Sequence, residues 1–301
     1  MGIDFQGRVA IVTGAGGGLG RQHALALAKR GAKVLVNDLG GAVDGSGGTV
    51  TAAQAVVDEI RAAGGEALAN GASVTDFAAV EAMVQQAIDA WGRVDILVNN
   101  AGILRDKSFA KMTLDDFRLV VDVHLMGAVV CTKAVWETMR AQQHGRIVFT
   151  TSSSGLFGNF GQSNYGAAKM ALVGLMQTLA LEGEKANIHV NCLAPTAATA
   201  MTQDILPAEV LAVLTPESVS PGLLFLVSEE APTRAILNAG AGVFAASHVS
   251  LTAPVHIGTG PHAPEQVAAA WPRISDRADS IVPGSGMVQS MREVQTVLQK
   301  R

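Results

Sequence analysis

Short β-branched runs alternate with longer helical patterns along most of the chain, and this alternation limits the fold more than any other feature. Parallel strands need long crossover connections, so such alternation is typical of βαβ units. The sequence therefore predicts an α/β fold built on a doubly wound parallel sheet. Strands are predicted at residues 9–13, 33–37, 67–70, 96–99, 146–151 and 189–193, with a seventh near 235–239. Helices are predicted at 19–29, 51–63, 76–91, 114–142 and 165–184.

Composition limits the class of protein. The formal net charge is −4, which argues against a nucleic acid or an anionic membrane as a partner. The longest apolar stretch, residues 119–136, is interrupted at Asp122, His124 and Lys133, so we predict no membrane span.

The two cysteines, Cys131 and Cys192, lie far apart in sequence without metal-binding spacing. They are predicted to be buried thiols in a reducing compartment, and no metal site is expected. No signal peptide is visible before the first apolar run, so we expect a cytoplasmic protein.

A glycine-rich stretch, residues 13–20 (TGAGGGLG), follows the first predicted strand and opens the first predicted helix. Glycines let the backbone approach a pyrophosphate closely, and the start of a helix presents unpaired N–H groups. This placement predicts a dinucleotide site, although a tight turn alone would also use glycines. The candidate contacts are Gly14, Gly16, Gly18 and Leu19.

Asp38 ends the second predicted strand, where a carboxylate can accept hydrogen bonds from ribose hydroxyls. A 2′-phosphate at this position would meet a like charge, and neither Gly17 nor Leu39 supplies a compensating cation. The sequence therefore favours NAD over NADP, with Arg21 as the one reservation. The alternative for Asp38 is an ordinary exposed turn residue.

Tyr165 is the only tyrosine of the chain, and Lys169 lies one helical turn after it. Residues i and i+4 share a helix face, so the phenol and the ammonium can point into one cavity. Positive charge lowers the pKa of a phenol, which would make it a usable base. The alternative is a tyrosine that caps a helix beside a solvated lysine. Ser152, thirteen residues before Tyr165, follows another strand.

Taken together, these features resemble the short-chain dehydrogenase/reductase superfamily. The glycine-rich loop, Asp38, the Asn-Asn-Ala-Gly motif at 99–102, Ser152 and the Tyr165–Lys169 pair occur in its order and at its spacings. The resemblance implies a single-domain Rossmann-type fold that transfers hydride between a secondary alcohol or its ketone and NAD.

The resemblance also assigns roles. Tyr165, as tyrosinate, would take the hydroxyl proton, Ser152 would hold the substrate oxygen, and Lys169 would lower the pKa of the phenol and bind the nicotinamide ribose. Ala72 replaces the aspartate that usually binds adenine, which leaves backbone groups for that purpose. The further cofactor contacts implied are Ser73, Val74, Asn100, Ala101, Gly102, Pro195, Ala197, Ala198 and Thr199.

A narrower resemblance involves residues 36–41, 99–107, 158–162 and 201–203. These segments are similar to the (3R)-hydroxyacyl-CoA dehydrogenase unit of peroxisomal multifunctional enzyme type 2, a 17β-hydroxysteroid dehydrogenase type, and the likeness implies a role in lipid metabolism. We therefore expect oxidation of a (3R)-hydroxyacyl-CoA to a 3-oxoacyl-CoA. The alternatives are a hydroxysteroid dehydrogenase and, more remotely, a non-catalytic dinucleotide-binding sensor.

His124 stands where most of the superfamily has an asparagine that holds a water against the lysine, so it either relays protons or only packs in its helix. The sequence also allows two classes of substrate. Arg105, Lys107 and Lys111 could receive the phosphates of an acyl-CoA, or could be a solvated loop. An apolar lid for a steroid could be formed by Met201, Ile205, Leu206, Leu211 and Leu214.

We divide the chain into a dinucleotide-binding catalytic domain, residues 1–245, and a C-terminal extension, 246–301. The substrate lid is predicted at about 196–215. In the extension, Val288, Met291, Val294 and Leu298 fall on one face of a short terminal helix, which we expect to pack on the body or on a partner subunit. Broad apolar faces at 114–142 and 165–184 predict a homodimer or homotetramer.

Overall fold

An eight-stranded sheet runs through the computed structural model, which describes residues 2–41, 44–47, 50–198 and 207–299. The strands lie in the order β3-β2-β1-β4-β5-β6-β7-β8, and all pairings from β3 through β7 are parallel. The predicted α/β fold class is thus confirmed. The strands are β1 (Val9–Thr13), β2 (Lys33–Asn37), β3 (Ala67–Asn70), β4 (Ile96–Asn99), β5 (Gly145–Thr150), β6 (Ile188–Thr196), β7 (Ile236–Gly240) and β8 (Val243–Ser247).

The helices that precede the last strand connect the strands and cover both faces of the sheet, and two more helices follow that strand in the described C-terminal residues. They are α1 (Gly18–Lys29), α2 (Thr51–Ala62), α3 (Phe77–Trp91), α4 (Leu114–Val121), α5 (Gly127–Gln142), α6 (Ser153–Phe157), α7 (Ser163–Gly183), α8 (Ala208–Val213), α9 (Ser220–Leu226), α10 (Ala263–Ile274) and α11 (Gly286–Leu298). One π-helical turn, Asp122–Met126, joins α4 to α5, so the helix predicted at 114–142 is continuous but widened in its middle.

Alternate side chains of each central strand enter two different cores. In β1, Ala10 and Val12 pack with α1, α2 and α9, whereas Val9 and Ile11 pack with α3, α5 and α7. The strand is therefore buried along its whole length on both faces. This is why parallel strands appear in the sequence as continuous apolar runs.

The helix spanning Leu114–Gln142 is, among the described residues, the one long and apolar enough to cross a membrane by length and composition. Core helices share both properties. Cys131, Val135 and Met139 of this helix lie in the core beside the sheet.

The last strand was absent from the sequence prediction. β8 follows β7 after only two residues, Ala241 and Gly242, which both have positive φ (51° and 73°). Such a turn matches the twist of a hairpin, but alanine seldom adopts this conformation and so gives no sequence signal. Exposed side chains such as Val243 also remove the usual alternation of a strand.

The chain divides into two compact units, residues 1–246 and 247–301. Within the second unit, Leu251 and Ile281 form an antiparallel bridge, with backbone hydrogen bonds of 2.8 and 2.9 Å. The Thr252 hydroxyl donates to the Ile274 carbonyl at 2.7 Å and so ties the end of α10 to this bridge.

Candidate active site

The glycine-rich loop brings the start of α1 to the edge of the sheet where the parallel strands end. Gly14 has a φ of 62°, and a Cβ there would lie 2.7 Å from the Ala101 Cα. A Cβ on Gly16 would lie 2.8 Å from the Asp38 carboxyl carbon. Gly17, the N-cap, provides no side-chain cap, so the first-turn N–H groups of α1 face the crevice. The loop therefore has the backbone N–H groups that can bind a pyrophosphate.

Asp38 lies directly beside this loop. Its Oδ2 accepts the N–H of Gly16 at 2.7 Å and its Oδ1 accepts the N–H of Gly40 at 2.6 Å. Arg21, the cation that could have received a 2′-phosphate, is instead paired with Glu59 at 2.5 Å. The residues of this half of the crevice thus fit an adenosine ribose with free hydroxyls.

Thr13 and Asn100 join the loops after β1 and β4. The Thr13 hydroxyl accepts the N–H groups of Asn100 (3.0 Å) and Ala101 (3.1 Å). The Asn100 amide donates to the carbonyls of Thr13 and Gly14, both at 3.0 Å. Since β1 and β4 are neighbours, this cross-link fixes the floor of the crevice.

The predicted adenine contacts follow β3. Val74 is buried in the core, and the Ser73 hydroxyl is hydrogen-bonded to the Thr75 hydroxyl at 2.9 Å. The Ala72 carbonyl accepts the side-chain amide of Asn37 at 2.9 Å. At this position a backbone turn, rather than an aspartate, faces the crevice.

Three of the four catalytic candidates lie at the end of β5 and in the first turns of α7, and the fourth, His124, meets them from the π-helical turn. Ser152 follows β5 and caps α6 by accepting the Ser154 N–H at 3.1 Å, and its hydroxyl lies near enough to Tyr165 to lower the pKa of the phenol. The Lys169 Nζ lies 5.4 Å from the centre of the Tyr165 ring. The His124 ring meets the Tyr165 ring edge-on, with 5.1 Å between centroids.

The electrostatics of this cluster correct one expectation. Burial raises the pKa of Tyr165, the Ser152 hydrogen bond opposes this shift, and the Asp106 carboxylate adds to it. Burial also lowers the pKa of Lys169 to about 7, so the ammonium is only partly charged at neutral pH. For the chain's own groups the net shift of the Tyr165 pKa is therefore upward rather than downward, because desolvation dominates, whereas the contribution of Lys169 to this pKa stays a prediction.

His124 lies in the π-helical turn and is buried. Its Nε2 lies 2.7 Å from the Ile103 carbonyl oxygen and 3.1 Å from the Ile103 nitrogen. Burial, and the neighbouring Lys169 charge, hold the pKa of His124 well below its usual range, so the ring is neutral.

A small cavity lies behind His124. The His124 Nδ1 and the Asn99 Oδ1 are buried without a hydrogen-bond partner among the described residues. Both residues line a cavity of about 10 Å³ that Lys169 also lines, which is room for about one water. His124 thus packs in its helix and also turns an unpaired nitrogen toward Lys169, so both roles that the sequence left open have a structural basis.

Asn164 is a fully buried residue of the site that sequence reasoning missed. Its Oδ1 accepts the Tyr165 N–H at 2.7 Å, and its Nδ2 donates to the Arg105 carbonyl at 3.0 Å. It therefore fixes both the start of α7 and the loop after β4. The one available signal was an asparagine at the start of a predicted helix.

The predicted nicotinamide side lies at the end of β6. Pro195 belongs to this strand and Ala197 is buried beyond it. The Ala198 N–H donates to the Leu214 carbonyl at 2.5 Å, which connects the two ends of the predicted lid. Thr199 lies outside the described residues, as do the predicted lid residues Met201, Ile205 and Leu206.

The basic residues after β4 do not form a set of free cations. Arg105 and Lys107 both pair with Asp116, at 3.0 and 3.3 Å. Within the described part of the chain, Lys111 alone of the three has no ion pair. The hypothesis that all three side chains are free to bind substrate phosphates is weakened, because Arg105 and Lys107 already share one carboxylate.

Neither thiol nor metal chemistry is indicated. Among residues 2–41, 44–47, 50–198 and 207–299, no group of three His, Cys, Asp or Glu side chains could hold a metal ion. Cys131 and Cys192 are buried and free. Burial raises the pKa of the Cys131 thiol to about 12 and also raises that of Cys192, so neither forms a thiolate at neutral pH.

Comparison with known proteins gives a consistent result. The family model described as short chain dehydrogenase matches residues 8–209. The chain is 49% identical, over 92% of its length, to the peroxisomal hydratase-dehydrogenase-epimerase of Saccharomyces cerevisiae, but spans only 31% of that protein.

Two solved structures extend this comparison. Full-length peroxisomal multifunctional enzyme type 2 from Drosophila melanogaster superposes with a TM-score of 0.80 at 37% identity, covering 99% of this chain and 50% of that one. A 7α-hydroxysteroid dehydrogenase complexed with NADH and 7-oxo glycochenodeoxycholic acid gives a TM-score of 0.71 at 30% identity. The superposition covers 79% of this chain and 95% of that one.

We predict that Lys169→Met inactivates the protein but stabilises it. The pKa of Lys169 falls from 10.5 to about 7 on folding, so the unfolded chain binds more protons between these values. Wild-type stability should therefore rise as the pH rises from 7 toward 10.5. At pH 7 the variant should be more stable by on the order of 2 kcal/mol, and this advantage should shrink at alkaline pH. Chemical denaturation of wild type and variant across this pH range measures the pH dependence of wild-type stability and the stability difference between the two proteins.

Lys185→Met is the matched control, since Lys185 is exposed and the substitution should change stability by less than about 0.5 kcal/mol. A Lys169→Met protein that is less stable than wild type at pH 7, with a difference independent of pH, would contradict the buried-charge argument.

Proposed function

This chain belongs to the short-chain dehydrogenase family, and we propose that it is an NAD-dependent dehydrogenase interconverting a (3R)-hydroxyacyl-CoA and its 3-oxoacyl-CoA. Family membership makes it an oxidoreductase that acts on a CH–OH group with a nicotinamide dinucleotide. The observation that carries the finer proposal is the 49% identity, over 92% of the chain, to a protein named for hydratase, dehydrogenase and epimerase activities. Of these three, the Ser152–Tyr165–Lys169 cluster suits the dehydrogenase.

The geometry supports a simple proton path. A substrate hydroxyl placed between Ser152 and Tyr165 would donate its proton to the phenolate oxygen while receiving a hydrogen bond from the serine. Bound NAD supplies the acceptor for the hydride that leaves the same carbon. The Lys169 Nζ lies 5.4 Å from the centre of the Tyr165 ring, close enough for an electrostatic interaction with the phenol.

The pKa of Tyr165 also affects whether reduction or oxidation is favoured at a given pH. Because burial raises this pKa, the phenol is protonated at neutral pH and is ready to donate to a ketone oxygen. Oxidation needs the phenolate and so should gain from alkaline pH, or from any positive charge brought close to the ring.

A hydroxysteroid is the second candidate substrate. The 7α-hydroxysteroid dehydrogenase, whose structure contains NADH and a bile-acid derivative, shares the fold at 30% identity. Leu211 and Leu214, the described part of the predicted apolar lid, are compatible with a sterol as well as an acyl chain.

We also infer a homo-oligomer. Large apolar side chains stay exposed on the helices that the sequence predicted to pair with another copy, α4 through α5 and α7. These are Leu114, which is 71% exposed, and Leu119, Met126, Met170 and Leu181, with exposures between 37% and 45%.

The cofactor prediction concerns Asp38. Wild-type protein should prefer NAD over NADP, because the carboxylate repels a 2′-phosphate and Arg21 is held by Glu59. Asp38→Ala should lower kcat/KM for NAD by about tenfold, through loss of charged hydrogen bonds, and bring the two cofactors closer together. Steady-state kinetics with both cofactors is the measurement. Equal kcat/KM values for both cofactors in the wild type would refute the assignment.

The substrate prediction is tested with (3R)- and (3S)-hydroxyacyl-CoAs of several chain lengths, alongside a 17β-hydroxysteroid, by following NADH formation. We expect the (3R) series to be oxidised best, because binding of the remote acyl and nucleotide parts helps to position the carbinol. Tyr165→Phe is the control, which should bind NADH normally yet turn over about 10²–10⁴ times more slowly.

Two results would overturn parts of this proposal. Oxidation of the steroid with no activity on any (3R)-hydroxyacyl-CoA would move the substrate to the second candidate. Turnover by Tyr165→Phe above about a tenth of wild type would remove Tyr165 from its catalytic role.

A further inference from the structure

A glycine-rich insertion leaves the dinucleotide crevice beside Asp38 and touches the loop that follows β4. Its described part, residues 44–47, makes two contacts there. The Arg105 Nε donates to the Asp44 carbonyl at 2.8 Å. A Cβ built on Gly45 would lie 3.3 Å from the Ile103 Cγ2, so the two backbones are close.

The order of the strands shows which part of the sheet lies between the two partners of these contacts. The insertion follows β2, whereas Ile103 and Arg105 follow β4, and β1 lies between these two strands. Neighbouring strands are about 4.8 Å apart, so the contacts that residues 44–47 make after β4 lie about 10 Å from β2, on the far side of β1. The glycine-rich loop at Gly14–Gly18 lies at this end of β1, which is where open α/β sheets bind dinucleotides.

Arg105 is anchored from the other side as well. Its Nη1 donates to the Asp116 carboxylate at 3.0 Å, and its carbonyl accepts from Asn164, the neighbour of Tyr165. Ile103 is held by the His124 ring, which contacts Tyr165. Arg105 therefore links the insertion, through its side chain, to the neighbour of the catalytic tyrosine, through its backbone carbonyl.

We propose that residues 44–47 form a strap across the dinucleotide crevice and that Arg105 is a positioning residue that latches it. The bound dinucleotide would lie beneath the strap and leave only when the latch opens. The proposal rests on the family's use of a dinucleotide, and not on the identity of the alcohol.

The chemistry of Arg105 suits this role. A guanidinium presents several donors in a planar fork, so it can bond the Asp44 carbonyl and the Asp116 carboxylate together. Lys107 shares Asp116 but has no recorded contact with residues 44–47. The two neighbouring cations thus differ in one relevant respect, contact with the strap.

The test compares Arg105→Ala with Lys107→Ala in the full chain. Both variants lose one positive charge and one partner of Asp116, but only the first loses the latch. We expect NADH, followed by stopped-flow fluorescence, to dissociate about tenfold faster from Arg105→Ala and within about twofold of wild type from Lys107→Ala, since only the first variant loses the hydrogen bond to the Asp44 carbonyl. Arg105→Lys, which lacks the fork, should be intermediate.

Equal dissociation rates in Arg105→Ala and wild type would overturn the strap. So would an equal acceleration in both alanine variants, because that would be a general charge effect. Failure of wild-type protein to bind NADH at all would instead refute the dinucleotide assignment.

A disulfide gives an independent test. The Cβ built on Gly45 lies 3.9 Å from the Ile103 Cβ, within the usual disulfide range. In Gly45→Cys/Ile103→Cys, NADH loaded before oxidation should be released at least tenfold more slowly than after reduction. Gly45 has a φ of 87°, but the resulting strain is present in both redox states and cancels in the comparison. Equal release from the fully oxidised and the reduced protein would contradict the proposal.

Discussion

Burial of Lys169 behind Tyr165 is the constraint on which the site depends. The ammonium donates to the Thr150 carbonyl at 2.5 Å, and the Thr151 hydroxyl donates to the Lys169 carbonyl at 2.7 Å, so α7 is fixed to the end of β5. This arrangement costs stability, because a charge is taken out of water without a carboxylate partner. The rest of the fold offsets that cost with two apolar cores, one on each face of the sheet. Active sites commonly retain a buried charge that lowers the stability of the fold.

The sequence predicted the regular part of the molecule well for a physical reason. Parallel strands are buried on both faces, so their apolar runs mark β1 to β6 closely and place the following residues at one edge. Asp38, Ser152 and Tyr165 were found because each follows or faces such an edge. The pairing of Tyr165 with Lys169 could be predicted because it depends only on the spacing of residues within one helix.

Other features depend on tertiary contacts that no local pattern encodes. Asp116 pairs with both Arg105 and Lys107 only because the loop after β4 folds back on α4. The sign of the Tyr165 shift was wrong because it depends on desolvation, which spacing alone does not give. β8 was missed because its turn uses an alanine at positive φ and its side chains are exposed.

The central claim is that burial keeps Tyr165 protonated in the free protein, and we propose that a bound, positively charged nicotinamide would lower the pKa of the phenol and so make it a base. Because Tyr165 is the only tyrosine, ultraviolet titration of phenolate absorbance reports on this residue alone. The account predicts a Tyr165 pKa above 10 in the free protein and a clearly lower value with saturating NAD⁺. A pKa below 10 in the free protein, or one unchanged by NAD⁺, would contradict it.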